Sequence, residues 1–115
     1  DGRLKLVWNL PRVLLPKNRV KLLLNLLILA AAAIPRGGTL TVDAVGEGES
    51  MGFRLTSAGP MAKLQPTVEA LATQASGDGI DAHAIQPHYT GLLARQAGVH
   101  LSFETLPESV VLTAA

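Results

Sequence analysis

The chain has 115 residues, 48% of them hydrophobic and 17% charged, with a net charge of +1; this balance suits one domain spanning residues 1–115 with its own core, and supplies neither a strongly basic surface nor an acidic tail. A single Trp, a single Tyr and two Phe give no row of aromatic platforms for stacking bases, so nucleic acid is not expected as a partner. With no Cys, disulfides, thiolate zinc sites and cysteine nucleophiles are excluded, and a cytoplasmic location is expected.

Residues 3–9 alternate, with Leu4, Leu6 and Trp8 on one side and Lys5, Val7 and Asn9 on the other, the pattern of a strand buried on one face. Pro11 and Pro16 interrupt it, and a long helix is expected from Lys17. Its first turn carries Lys17, Arg19 and Lys21 against the preference of the helix dipole, so some other group is expected to want those charges. The run over residues 20–34 is apolar nearly all round but short of the 18 to 20 residues of a membrane span; with Asn25 inside it and Pro35 closing it, a buried core helix is expected, and no membrane association. Gly37 and Gly38 then supply a tight turn.

Residues 39–45 are rich in β-branched side chains, 46–49 form a turn and 52–56 alternate, which predicts an antiparallel hairpin. Residues 57–60 are expected as a loop, and 66–74, with Val68, Leu71 and Ala72 at helical spacing, as a short second helix. After the Gly77-Asp78-Gly79 break, residues 84–97 place Ile85, Tyr89, Leu92, Leu93 and Gln96 at helical intervals, with Gly98 as the C′ residue. Residues 99–106 and 110–113, joined by Pro107-Glu108-Ser109, predict a closing hairpin. The order implies an α+β fold: a two-layer sandwich whose mixed sheet of about five strands carries about three helices on one face.

Three histidines, His83, His88 and His100, are candidates for phosphate acceptance or metal binding. Their spacing matches no zinc pattern, and all three are read as structural, with His88 the best placed of them for accepting phosphate from a helix surface. Asp78 and Asp81 flank a glycine loop with too few ligands for calcium, and are read as a solvated loop. Asn25 is either a buried amide bonded to backbone or a polar notch in a groove, and the structural reading is favoured. Lys17, Arg19 and Lys21 are read as a solvated helix end, with a basic edge that attracts acidic surfaces as the alternative.

Several segments together resemble the Bergerat fold of histidine kinases and MutL: Asn25-Leu26-Leu27 on a long helix, Pro35-Arg36-Gly37-Gly38, a hairpin, Gly59-Pro60, a Gly79-containing loop, and Ala97-Gly98 before a closing hairpin. In that family a second Asn on the long helix coordinates magnesium on ATP, and an Asp in a D-x-G-x-G loop holds the adenine amino group. Here Leu29 stands in place of that Asn, Ser57 in place of the Asp, and Met61 in place of the second Gly. The resemblance therefore implies a lost nucleotide site, and leucine cannot supply the oxygen ligand that magnesium needs.

The chain is more closely similar to the ChpT-type histidine phosphotransferases. The matching pieces are residues 22–33 with Pro35-x-Gly37-Gly38, Gly59-Pro60 with Lys63-Leu64-x-Pro66, and Ile85-Gln86-x-x-Tyr89 with Leu92-Leu93-x-x-x-Ala97-Gly98. That family's amino-terminal helical hairpin, which bears the phospho-accepting His and makes the homodimer, has no counterpart in the sequence. The resemblance implies that the intact protein moves phosphate from the receiver domain of a hybrid kinase to that of a response regulator, with this domain as a docking and support surface without ATPase or kinase activity. It assigns no catalytic, cofactor-binding or metal-binding residue and no cofactor to this chain. A working GHKL-type ATPase or kinase domain with unusual nucleotide contacts is the rival, against which Leu29 and Ser57 argue; a structural domain without a phosphorelay role is a third reading.

Overall fold

Among the described residues, short apolar runs punctuated by glycine and proline fold into one five-stranded sheet with an apolar helix laid against it. The computed structural model describes residues 3–12, 14–47, 50–64, 68 and 85–115. In chain order the elements are β1 (Arg3–Trp8), α1 (Lys17–Ala32), β2 (Gly37–Val45), β3 (Gly52–Ala58), α2 (Ile85–Gln96), β4 (Leu101–Leu106) and β5 (Ser109–Ala114). They form one mixed sheet in the order β1-β2-β3-β5-β4. β1 runs parallel to β2 through the α1 crossover, and every other pairing is antiparallel. The α+β class, the five strands and both hairpins stand as the sequence predicts. Of the helix expected over residues 66–74 only Val68 is described, in helical conformation; the rest of it, with His83, Asp78 and Asp81, lies outside the described residues.

Alternation puts one set of strand residues under the helices. Across the sheet, Val42 pairs Leu55, Leu55 pairs Leu112 and Leu112 pairs Phe103, a continuous apolar row. Against it α1 lays Leu22, Leu26, Leu29, Ala30 and Ala33, the i, i+4 and i+3 stripe of a core-facing helix. Phe53, Leu55, Leu22 and Leu26 are fully buried, each stabilising the fold by about 1.5–3 kcal/mol relative to exposure. Three contacts hold α1 lengthwise over β3 and its flanking segments: the Arg19 guanidinium donates to the carbonyl of Met51, the Ser57 hydroxyl to that of Ala30, and the Lys63 backbone N–H to that of Ala33.

Burial departs from expectation at the edge of the sheet and in α2. Leu4, Leu6 and Trp8 lie on the helix side of the sheet, in register with Gly38, Leu40 and Val42, yet they are 46%, 52% and 50% exposed. β1 is an edge strand beyond the reach of the described helices, so its apolar side is not buried. In α2 the spaced apolar residues Ile85, Tyr89 and Leu92 are also exposed, and Pro87, Thr90, Gly91, Leu93 and Ala94 face inward. Small side chains let that helix approach α1 closely, and packing, not hydrophobicity, decides which face is inside. α1 is the core helix the sequence predicts, and although apolar nearly all round it leaves Val20, Leu24 and Ile28 exposed on its outer side.

β2 opens where the chain can turn only with glycine. Gly37 and Gly38 have φ of 94° and 140°, and an added Cβ on Gly38 would collide with the Ala58 carbonyl oxygen and lie 2.9 Å from the Gly59 Cα. The reciprocal holds for Gly59, whose added Cβ would strike the Gly37 carbonyl oxygen. Residues 57 and 58, expected in a loop, continue β3, paired with Leu40 and Thr39.

Candidate functional site

The positions that the sequence singled out for nucleotide contact lie together where α1 crosses the end of β3. Leu29 is 6% exposed and belongs to the core. Ser57 is fully buried on β3, and its hydroxyl donates to the Ala30 carbonyl at 2.7 Å. A buried hydroxyl must find a partner, and this one spends its proton on the helix backbone. Ser57→Ala is expected to lower the unfolding free energy by about 1 kcal/mol, the net worth of one such bond, as measured by urea denaturation with an unchanged slope.

Leu29 and Ala32 on α1 and Ala33 just after it, with Lys63, Leu64 and Val68, line a shallow pocket. Lys63 brings the single polar side chain among them, a cation. None of these six described residues carries a side-chain oxygen, so none of them offers a side-chain ligand for a divalent ion. No group of three His, Asp or Glu that could hold a metal occurs among the described residues. Met61, in place of the second loop glycine, has φ of 63° and is 67% exposed.

Asn25 has a structural place. Its side-chain amide donates to the Lys21 carbonyl at 2.8 Å, and its Oδ1 accepts from the Gln86 side-chain amide. The bond ties α1 to α2, and Gln86 is the partner that sequence reasoning left unassigned. Nothing in the spacing of residues 25 and 86 could have revealed it.

Arg19 separates from the two lysines grouped with it. Half-buried, it donates to the Met51 carbonyl at 3.0 Å and to the Ala97 carbonyl at 3.1 Å. Ala97 follows the carboxy-terminal end of α2, where the helix dipole is negative and carbonyls lack partners. That is the group that wants a cation in the first turn of α1. Lys17 and Lys21 remain exposed at the start of α1.

His88 is half-buried on α2, with its Nδ1 buried and without a hydrogen-bond partner among the described residues. His100 is exposed immediately before β4, where its backbone N–H donates to the Ala115 carbonyl at 2.8 Å. No helix among the described residues is long and apolar enough to cross a membrane.

Comparison with known proteins places these features in a family. The chain is 44% identical over 108 residues to the protein phosphotransferase ChpT of Brucella abortus (strain 2308), a match covering 93% of this chain and 52% of that protein. It also superposes on the 1.7 Angstrom structure of a bacterial phosphotransferase with a TM-score of 0.84 and 42% identity, over 96% of this chain and 55% of that one. The chain thus spans about half the length of the relatives it matches. Residues 1–109 match the family described as the histidine phosphotransferase C-terminal domain, and the chain belongs to that family.

Proposed function

We propose that this chain is a single Bergerat-like domain of a phosphorelay histidine phosphotransferase that has lost ATP binding and docks and supports receiver domains. The observation that carries the reading is the pairing at the old nucleotide position: Ser57 gives its proton to the Ala30 carbonyl beside the buried aliphatic Leu29. Holding ATP there needs oxygen ligands for magnesium and an acceptor for the adenine amino group; Leu29 has no side-chain oxygen, and the Ser57 hydroxyl, neutral where the family's carboxylate would stand, is fully buried against the helix backbone. The family and the phosphotransferases it resembles support the phosphorelay half of the reading.

In this reading the phospho-accepting His belongs to a helical hairpin elsewhere in the intact protein, which also makes a homodimer. Phosphate passes from the receiver of a hybrid kinase to that His and on to the receiver of a response regulator, in the cytoplasm. The receiver aspartyl phosphate is attacked by a neutral imidazole, so the transfer demands a positioned His and the receiver's own magnesium, and of this domain only a binding surface.

Calorimetric titration of the chain with ATP and magnesium is expected to release no binding heat, and a saturable isotherm would overturn the lost-nucleotide reading. Incubation with a phosphorylated receiver domain is expected to label the intact protein and leave this chain unlabelled. Label on the chain alone would move the acceptor to one of its own histidines and sink the docking role.

A further inference from the structure

The charges of this chain are sorted by position. Residues 3–42 hold seven of the ten lysines and arginines and none of the nine carboxylates. Among the described residues the carboxylates are Asp43, Glu47, Glu104 and Glu108, all on strands or in the turns between them. Neither α1 nor α2 carries one. A net charge of +1 conceals this division.

The exposed apolar residues of β1 and α1 fall within the basic part. Leu4, Leu6 and Trp8 face the helix side of the sheet. On α1, at 100° per residue, Val20 points away from Asn25, the residue that bonds α2, and therefore toward β1; Leu24 stands beside it on the outer surface. These two are 40% and 55% exposed. Around the five lie Arg12 and Lys17 at the end of β1 and the start of α1, and Arg36 at the opposite end, before β2; all three are exposed.

The dimensions fit one more helix. α1 is held over β3, two strands from β1, and two strand spacings are about 9.6 Å. Packed helices stand about 8–10 Å apart. A helix laid over β1 would contact α1 on one side and Leu4, Leu6 and Trp8 beneath, completing the layer. A flat bilayer could not reach the floor at Trp8 and the crest at Leu24 together. A second copy of the chain would bring like charge to like charge.

We propose that the β1–α1 face is the docking site for an amphipathic helix of a partner protein, with carboxylates flanking its apolar stripe. The proposal rests on the docking reading above and adds the face and the chemistry of what it takes. The apolar stripe supplies affinity through burial, and the carboxylates opposite Arg12, Lys17 and Arg36 supply orientation and salt dependence.

Trp8 is the chain's single tryptophan and lies on the floor of the face, so its fluorescence reports occupancy. The probe is a blocked, tryptophan-free helical peptide of about four turns, with leucines at i, i+3, i+4 and i+7 and glutamates on both flanks. Titrated into the chain and into the intact protein, it is expected to shift Trp8 emission to the blue, with affinity falling as salt rises. Leu6→Asp and Leu24→Asp, at exposed positions that leave the fold intact, are each expected to weaken binding about tenfold or more. No shift, or an equal shift with a lysine-flanked peptide, would overturn the proposal. So would phosphatidylglycerol vesicles that shift Trp8 where the peptide does not, a dimer of the chain that Leu24→Asp dissolves, or a Trp8 in the intact protein already blue and indifferent to the peptide. Receiver binding by the same variants keeps the two readings apart. A receiver that binds wild type and Leu24→Asp equally sinks this face and leaves the docking role, whereas peptide binding without any receiver binding keeps the face and sinks the receiver as partner.

Discussion

Gly38→Ala is expected to cost about 3 kcal/mol of stability, because it combines backbone strain with a collision that nothing nearby can relieve. Gly38 has φ of 140°, and its added methyl would meet the Ala58 carbonyl oxygen and the Gly59 Cα. Both neighbours are backbone, held by the pairing of Thr39 with Ala58, so relief would require moving a strand. Gly46→Ala is the control: φ there is 83° and no atom lies within 4 Å of the added Cβ, so the cost reduces to the conformational term of about 1 kcal/mol. Urea denaturation of both variants separates the two contributions. Equal losses would show that the close approach of β2 and β3 adds nothing to the strain.

Arg19→Met is expected to destabilise the fold by about 2–3 kcal/mol, against less than ~0.5 kcal/mol for Lys17→Met or Lys21→Met. Arg19 joins three parts of the chain that no strand pairing connects: the first turn of α1, the residue before β3 and the residue after α2. Methionine keeps most of the stem and its packing while removing both charge-assisted bonds, leaving the Met51 and Ala97 carbonyls short of a donor. Arg19→Lys should recover part of the loss, since an ammonium reaches one carbonyl where the planar guanidinium reaches both. Melting temperatures for the four variants test the order. A loss at Lys21 equal to that at Arg19 would mean that helix-end charge, not the two bonds, is what matters.

Arg19 also marks the limit of what the sequence tells. A basic first turn was legible as an anomaly, but its cause lies on segments 32 and 78 residues away, beyond any local pattern. The same holds for Ser57, whose hydroxyl donates to a helix carbonyl 27 residues away. Alternation in β1 predicts its strand correctly and its burial wrongly, because period two says which side chains share a face, while where the helix layer ends depends on tertiary packing. In α2 the spacing of Ile85, Tyr89 and Leu92 is helical, yet the inward face is the one with Gly91 and Ala94. The hairpins were readable because turn chemistry is local.

β1 is joined to the sheet along one side only, by the parallel ladder to β2 and by Asn9, whose backbone N–H donates to Val42 and whose side chain donates to Asp43. All but one of its residues are exposed, so it contributes little apolar burial to hold it in place. Cooperative opening of a native protein begins in such units, where the free energy of detachment is far below that of global unfolding. The first strand is therefore the natural place for partial unfolding to start. A helix settling over it would raise the cost of that opening, so occupancy of the face and order along the edge of the sheet become one equilibrium.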